Sequence, residues 1–397
     1  MEALLSMEEA QRLILERAGP LEGEVVALDA AAGRVLVDPA ASRVDLPPFD
    51  SSAMDGFAVR SSDTPGRLPV RERIPAGRPA RRALDPGEAM GIATGGAVPE
   101  GADAVIQLEA VADEGNAVEI QDAVRTGANI RPRGGDLRQG DVVVEAGEFL
   151  GPAQIGALAA AGIPEVSCSR RPRAAVLATG TELRRPGEEL GPGQIYEANT
   201  ALLAVQLRSA GAEVALLDAV EDDEAAHRKA LETGLRGDVL VTSGGVSVGP
   251  HDLVRSVGAE LGIEEIFWGV AVKPGKPLWF GVRDGTLVFG LPGNPVSSLV
   301  GFELFVRPAL RALQGVREPL PRFDPGRLAR AVRPNPARTE LMRARTAVVD
   351  SAVELDILTG QDSHMIARAA GADALVLVPP GTDELPAGAA VSFLRLA

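Results

Sequence analysis

A chain of 397 residues, 45% hydrophobic and 24% charged, has the composition of an ordinary soluble protein and is too long for one core, so roughly two to four domains are expected. A formal net charge of −15 and only 3% aromatic residues argue against a nucleic-acid surface, an anionic-membrane surface or base-stacking platforms. Cys168 is the single cysteine and His227, His251 and His364 are scattered, which excludes an intramolecular disulfide and a thiolate zinc cluster and leaves a histidine metal site without support.

In chain order, Ser6 is placed to cap a helix over 8–18, with Glu9 completing a capping-box pattern. Segments 21–28 and 33–37 carry the chain to L-P-P-F-D-S-S-A-M-D-G-F-A-V-R at 46–60. From there to about 141 the chain alternates short β-type runs with Gly, Pro and Asp, at 57–59, 89–92, 104–107, 117–120 and 142–144, which predicts a β-rich unit. Residues 151–161 read as a helix with Pro152 in its first turn.

From 173 the pattern becomes strand and helix in alternation. Strands are expected at 174–178, 213–220 and 238–242, and helices at 199–210, 222–235 and 251–261. A hairpin with a D-G turn is expected at 278–289, followed by a helix capped by Asn294 and running from Pro295 to about 313. This predicts a mostly parallel sheet with helices on both faces, whose ligands gather at the carboxyl ends of the strands. After Gly315 a proline-rich stretch opens a small β unit with runs at 344–349, 374–379 and 390–396.

Three Gly-rich loops follow strands of the α/β unit: T-G-T-E-L (179–183), T-S-G-G-V-S-V-G (242–249) and G-L-P-G-N-P-V-S-S (290–298). Such loops let backbone N–H groups converge on phosphate oxygens, although glycines also serve plain turns. None has the spacing of a P-loop or a dinucleotide fingerprint. Between the second and third lies V-K-P-G-K-P (272–277). Of the 40 Lys plus Arg only three are lysines, Lys229, Lys273 and Lys276, so two of three share one proline-stiffened turn. That turn reads as an anion-holding loop rather than an incidental surface turn, because a compact ammonium is not interchangeable with a guanidinium fork. Glu182, Asp222, Asp223 and Asp252 lie close to these loops, and carboxylates beside phosphates suit Mg²⁺. Asp222 and Asp223 suit helix N-terminal capping equally well.

Taken in order, these motifs, with T-G-G-A-V-P-E-G-A-D-A-V (94–105), G-A-N-I-R-P-R-G-G-D (127–136) and G-Q-I-Y-E-A-N (193–199), resemble the molybdopterin molybdenumtransferase family, the MoeA-type proteins and the E domain of gephyrin-like proteins, almost from end to end. The resemblance implies a multidomain α/β plus β architecture. Its parts would be a discontinuous helical linking domain (1–45 with 141–172), an inserted β domain (46–140), a central three-layer α/β/α domain (173–316) and a C-terminal β-barrel (317–397). It implies insertion of molybdate into adenylylated molybdopterin with Mg²⁺-dependent release of AMP, in a homodimer whose cleft lies between subunits, with a molybdopterin adenylyltransferase acting upstream. Carried over by motif, the catalytic candidates are Glu182, Lys273, Lys276, Asp55 and Asp136, and the metal candidates Glu182, Asp222 and Asp252. Substrate contacts would come from Thr94, Ser243, Gly244, Gly245, Ser247, Pro277, Pro292, Gly293, Asn294, Ser297, Ser363 and either Arg338 or Arg343.

The chain departs from the family pattern at Gly269, where some relatives carry a lysine. The alternatives are the adenylyltransferase itself, whose sheet domain is shared, a non-catalytic gephyrin-like scaffold, and a relative that holds tungstate. No apolar run of about 18 residues and no signal pattern occur, so neither membrane nor nucleic acid is expected as a partner and the location is read as cytoplasmic.

Overall fold

The computed structural model describes residues 4–220, 223–246 and 253–396. Its centre is a six-stranded sheet. Its strands are β1 (Arg173–Ala178), β2 (Glu213–Leu216), β3 (Val239–Ser243), β4 (Glu264–Trp268), β5 (Trp279–Arg283) and β6 (Thr286–Leu291), in the order β2-β1-β3-β6-β5-β4. The first four in that order run parallel, and the β5–β6 hairpin and β4 complete the sheet antiparallel. Side chains alternate between two cores: Val176, Val239 and Val241 face one, Leu177 and Leu240 the other. Successive residues of a strand point to opposite faces, so continuous apolar runs such as A-A-V-L-A are what a strand covered on both sides requires.

The core on the first face reaches well beyond the sheet. It takes Met7, Ala10 and Ile14 from the Met7–Leu15 helix, and Leu341, Leu375 and Leu394 from the C-terminal unit. That helix starts one residue earlier than expected and ends three earlier, and its Ser6 cap accepts from the Glu9 N–H at 3.0 Å.

Where one helix was expected from Pro295 to Leu313, the chain makes Pro295–Gly301, a π turn over Phe302–Val306, and Arg307–Leu313. Pro308 has no N–H to donate, which frees the carbonyl of Leu304 one turn back. Gln11 Nε2 donates to that carbonyl at 2.9 Å. The wide turn keeps Glu303 buried, held by Gln206 Nε2 at 2.8 Å and by Arg307.

Residues Gly56–Ile120 build a second six-stranded sheet. The sequence reading missed its longest strand, Gly66–Ile74, which pairs antiparallel with Ala117–Ile120 and parallel with Ala89–Ile92. A two-stranded ladder, Gly23–Ala27 against Glu165–Ser169, closes over buried Cys168. The last unit is a closed five-strand barrel. Thr339–Val349 pairs with both Ala352–Ile357 and Ala374–Val378, and Asp324–Leu328 and Ala390–Arg395 complete the ring.

Candidate functional site at the loop edge of the central sheet

A cavity of about 710 Å³ opens at the carboxyl ends of β1, β3 and β6, where all three Gly-rich loops contribute walls. The loops are tied to one another. Thr179 N–H donates to Ser243 O at 3.1 Å, and Gly244 N–H donates to Leu291 O at 3.0 Å. Gly244 has φ +90°, and a Cβ there would sit 2.8 Å from the Thr179 carbonyl oxygen, so only glycine permits this approach. Glu182 lines the cavity with its carboxylate folded over Gly180, where a Cβ would lie 2.6 Å from Oε2 and φ is +150°.

Of the expected site residues, Glu182, Ser243, Gly244, Gly245, Pro277, Pro292, Gly293 and Asn294 all line this cavity. Ser297 is buried behind the third loop, and Gly275 of the lysine turn packs near it. Lys276 is exposed. Lys273 is engaged: Nζ lies 2.9 Å from Glu340 Oε1, across a short parallel pairing of Val272–Lys273 with Thr339 and Glu340 of the barrel.

Asn294 occupies the helix-capping position, but its side chain makes no cap bond; Nδ2 donates to Ser363 Oγ at 2.9 Å. The Val296 N–H adds a bond to Ser363 O at 3.1 Å. The barrel loop thus closes one end of the cavity, with His364 and Ile366 in its wall. Beneath that loop Arg343 is only 1% exposed. Its fork donates to the carbonyls of Met365 (3.0 Å), Gly360 (2.7 Å) and Asp362 (3.3 Å). Burial pulls its pKa below the ordinary guanidinium value, and Asp362 partly offsets this. Of the two arginines left open by the motif, Arg343 is spent on scaffolding, whereas Arg338 stays partly exposed.

Asp55, Thr94 and Asp136 lie on the Gly56–Ile120 sheet unit and its return, away from the cavity lining. Asp55 Oδ1 accepts from the Thr94 N–H at 2.8 Å, and both residues are exposed, as is Asp136. Asp223 caps the Glu224–Gly234 helix, accepting from Ala226 N–H at 2.7 Å. Ser247, Asp222 and Asp252 fall outside the described residues. Gly269 has φ +90°, and a Cβ there would meet Leu4 at 2.7 Å.

Sequence reasoning gave no role to Asn199, Glu197 or Tyr196, which line the cavity. All three sit in G-Q-I-Y-E-A-N, so the motif carried the signal but not the function of its last residue. Glu197 is occupied locally, accepting from Thr200 N–H at 2.9 Å.

A three-layer sheet with a Gly-loop cavity at its switch edge, a second sheet unit and a closed barrel together define a multidomain fold of the MoeA class. Two solved structures of molybdopterin biosynthesis MoeA protein from Pyrococcus horikoshii share it. One has TM-score 0.86 and 29% identity over 99% of this chain and 100% of that one; the other has 0.80 and 33% over 99% of each. The family descriptions "MoeA N-terminal region (domain I and II)", "Probable molybdopterin binding domain" and "MoeA C-terminal region (domain IV)" match residues 5–162, 175–312 and 325–396. Molybdopterin molybdenumtransferase 2 of Mycobacterium tuberculosis is 37% identical over 96% of this chain and 97% of its own length, and the Haemophilus influenzae molybdopterin molybdenumtransferase is 36% identical over 79% of each. The chain belongs to the molybdopterin molybdenumtransferase family.

Proposed function

We propose that this chain is a transferase of molybdenum cofactor biosynthesis that inserts molybdate into adenylylated molybdopterin, with Mg²⁺-dependent release of AMP. The observation that carries the reading is the convergence of three Gly-rich loops, Glu182 and Pro277, the last residue of the K-P-G-K-P turn, on one cavity. Its volume of about 710 Å³ is that of a site for a ligand of pterin-nucleotide size.

Two anions must meet inside a protein of net charge −15, so the site has to reverse the field locally. Lys276 is the free ammonium beside the cavity edge, and Arg338 is the available guanidinium. Lys273 holds the turn against the barrel. Backbone N–H groups of the Gly loops and the Ser243 hydroxyl suit a phosphate whose charge grows as the pyrophosphate bond breaks. The dithiolene sulfurs that take the metal belong to the substrate, in keeping with a chain whose one cysteine is buried and whose thiol is pushed up by that burial.

Among the described residues no three Asp, Glu, His or Cys side chains cluster as a metal site. Mg²⁺ nevertheless fits, because it keeps several waters and takes one or two carboxylates together with substrate phosphates. Glu182, with Asp222 and Asp252, would hold it, and it would neutralise phosphate charge. The functional unit is a homodimer in which Asp55, Thr94 and Asp136 of one protomer face the cavity of the other; supporting this, none of the three lines its own chain's cavity. The protein acts in the cytoplasm, downstream of a molybdopterin adenylyltransferase. Among the described residues no helix is long and apolar enough to cross a membrane.

The test is incubation of the purified chain with adenylylated molybdopterin, molybdate and Mg²⁺. Molybdate-dependent AMP release is expected, and its absence would sink the reading. ATP-dependent adenylylation of molybdopterin instead would identify the upstream enzyme.

A further inference from the structure

Asn199 opens the Asn199–Ser209 helix and is only 8% exposed. Its Nδ2 donates to Ser243 Oγ and to the Gly293 carbonyl oxygen, both at 2.7 Å. Those two acceptors belong to the second and third Gly-rich loops. The loops touch close by: a Cβ on Gly293 would lie 3.7 Å from Gly244 Cα. The amide cannot be turned round, because that would set its oxygen against the Gly293 carbonyl, acceptor against acceptor. In the observed orientation Asn199 Oδ1 is buried and has no hydrogen-bond partner. Leaving a buried carbonyl unpaired is unfavourable, so the two bonds from Nδ2 are what hold the side chain in place.

The consequence falls on Ser243. A serine hydroxyl has one proton and two lone pairs. By accepting from Asn199, Ser243 Oγ commits a lone pair on that side and must direct its proton elsewhere. Among the described residues the Asn199 amide is the only partner of that oxygen, and Ser243 lines the cavity. A hydroxyl fixed in this sense is a donor waiting for an acceptor-only ligand, and an oxyanion is one.

We propose that Asn199 is a positioning residue for substrate phosphate: it orients the Ser243 O–H as a donor to a phosphate oxygen in the cavity and sets the spacing of the second and third loops. The inference rests on reading the cavity as the phosphate-binding site of the transferase, and names the residue that prepares it.

The experiment is a double-mutant cycle in the full chain, with Asn199→Ala, Ser243→Ala and the double variant titrated calorimetrically with inorganic pyrophosphate. Each single change is expected to weaken binding roughly tenfold. The double variant should be no weaker than the poorer single one, because the second change removes a bond already lost. The KM for adenylylated molybdopterin should rise by a similar factor in Asn199→Ala with the melting temperature held, a split that a purely structural role would not give. Asn199→Asp, of the same shape, should bind pyrophosphate more weakly still, since Ser243 would then donate to the new carboxylate. If Asn199→Ala does not fold, the same cycle is run with Asn199→Ser, which is small and uncharged and is too short to keep both bonds. Losses that multiply in the double variant, wild-type affinity in Asn199→Ala, or a wild-type chain that does not bind pyrophosphate would each overturn the proposal. Coupled pyrophosphate losses in a chain that releases no AMP with molybdate would leave the Asn199 proposal standing and remove the transferase reading instead.

Discussion

Lys273 and Glu340 form an ion pair, Nζ to Oε1 at 2.9 Å, that fastens the lysine turn of the central unit to the first residues of the longest barrel strand. Glu340 is 5% exposed, whereas the Lys273 side chain is 43% exposed. Removing the ammonium leaves a buried carboxylate with no counter-charge among the described residues. Lys273→Met should therefore cost about 2 kcal/mol, less than a fully buried pair because the lysine is half in water. Lys276→Met should cost almost nothing. Thermal melting of the two variants checks this, and equal melting temperatures would mean that the pair does not brace the turn.

Lys276 has the complementary behaviour. It is exposed and has no ion pair among the described residues, so its charge is available to a ligand. Lys276→Arg keeps that charge but replaces a compact ammonium by a planar fork. The expected result is a fall in kcat/KM of about tenfold or more with an unchanged melting temperature. Wild-type turnover in this variant would make the scarcity of lysine accidental.

Gly180 and Glu182 should behave as a unit. With φ at +150° and the Glu182 carboxylate 2.6 Å from the place of a Cβ, alanine at 180 forces the acid out of its position. Gly180→Ala and Glu182→Ala should then show the same loss of Mg²⁺-dependent turnover, while only the glycine change costs stability, about 1 kcal/mol or more. A large drop in melting temperature for Glu182→Ala would assign that side chain a structural role.

Acid sensitivity should centre on Asp238. Burial raises its pKa, but the Arg170 fork (2.7 and 2.8 Å) and the Arg173 N–H (2.7 Å) more than reverse this and hold the carboxyl below its usual range. The stabilisation is complete above the unfolded carboxylate pKa of about 4 and is lost as pH falls through the lower folded value. Asp238→Asn should cost about 2 kcal/mol at neutral pH and flatten the acid limb of a melting-temperature profile. An unchanged acid limb would place the sensitive group elsewhere.

Gln11→Leu tests the repair at Pro308. The Leu304 carbonyl loses its one side-chain donor among the described residues, and about 1–3 kcal/mol of stability should go with it. Chemical denaturation measures the loss, and a neutral result would mean that water reaches that carbonyl.

Much of this was legible in the sequence because it is written locally. The strands at Ala89–Ile92, Ala104–Gln107 and Ala117–Ile120 lie where short apolar runs between turn residues predict them, and eight of the expected cavity residues do line it. The missed strands, among them Gly23–Ala27, Gly66–Ile74, Val111–Asp113, Glu165–Ser169, Glu264–Trp268, Asp324–Leu328 and Ala352–Ile357, are of another kind. G-R-L-P-V-R-E-R-I carries charges and a proline, and is a strand because distant partners on both sides complete its ladder. Likewise nothing next to Arg343 in sequence reveals that its donors are consumed by a loop about twenty residues on, nor that Asn199 reaches two other loops. Local pattern names the residues of a loop, whereas the order of strands in the sheet decides which loops meet.

One feature of the core bears on how the protein is made. The face of the central sheet that carries Val176 and Val241 shares one core with its own helices, through Leu203, Leu207, Val300 and Leu310, with Met7, Ala10 and Ile14, and with Leu341, Leu375 and Leu394 of the barrel. A ribosome releases the sheet strands and their helices well before the barrel, so the part of this core that meets Leu341, Leu375 and Leu394 stays uncovered until the last strands emerge. Loss of the Ala390–Arg395 strand would therefore harm the cavity unit more than the barrel's distance in sequence implies. Partial products of translation should aggregate through that uncovered part of the core, rather than persist as a folded unit lacking its final part.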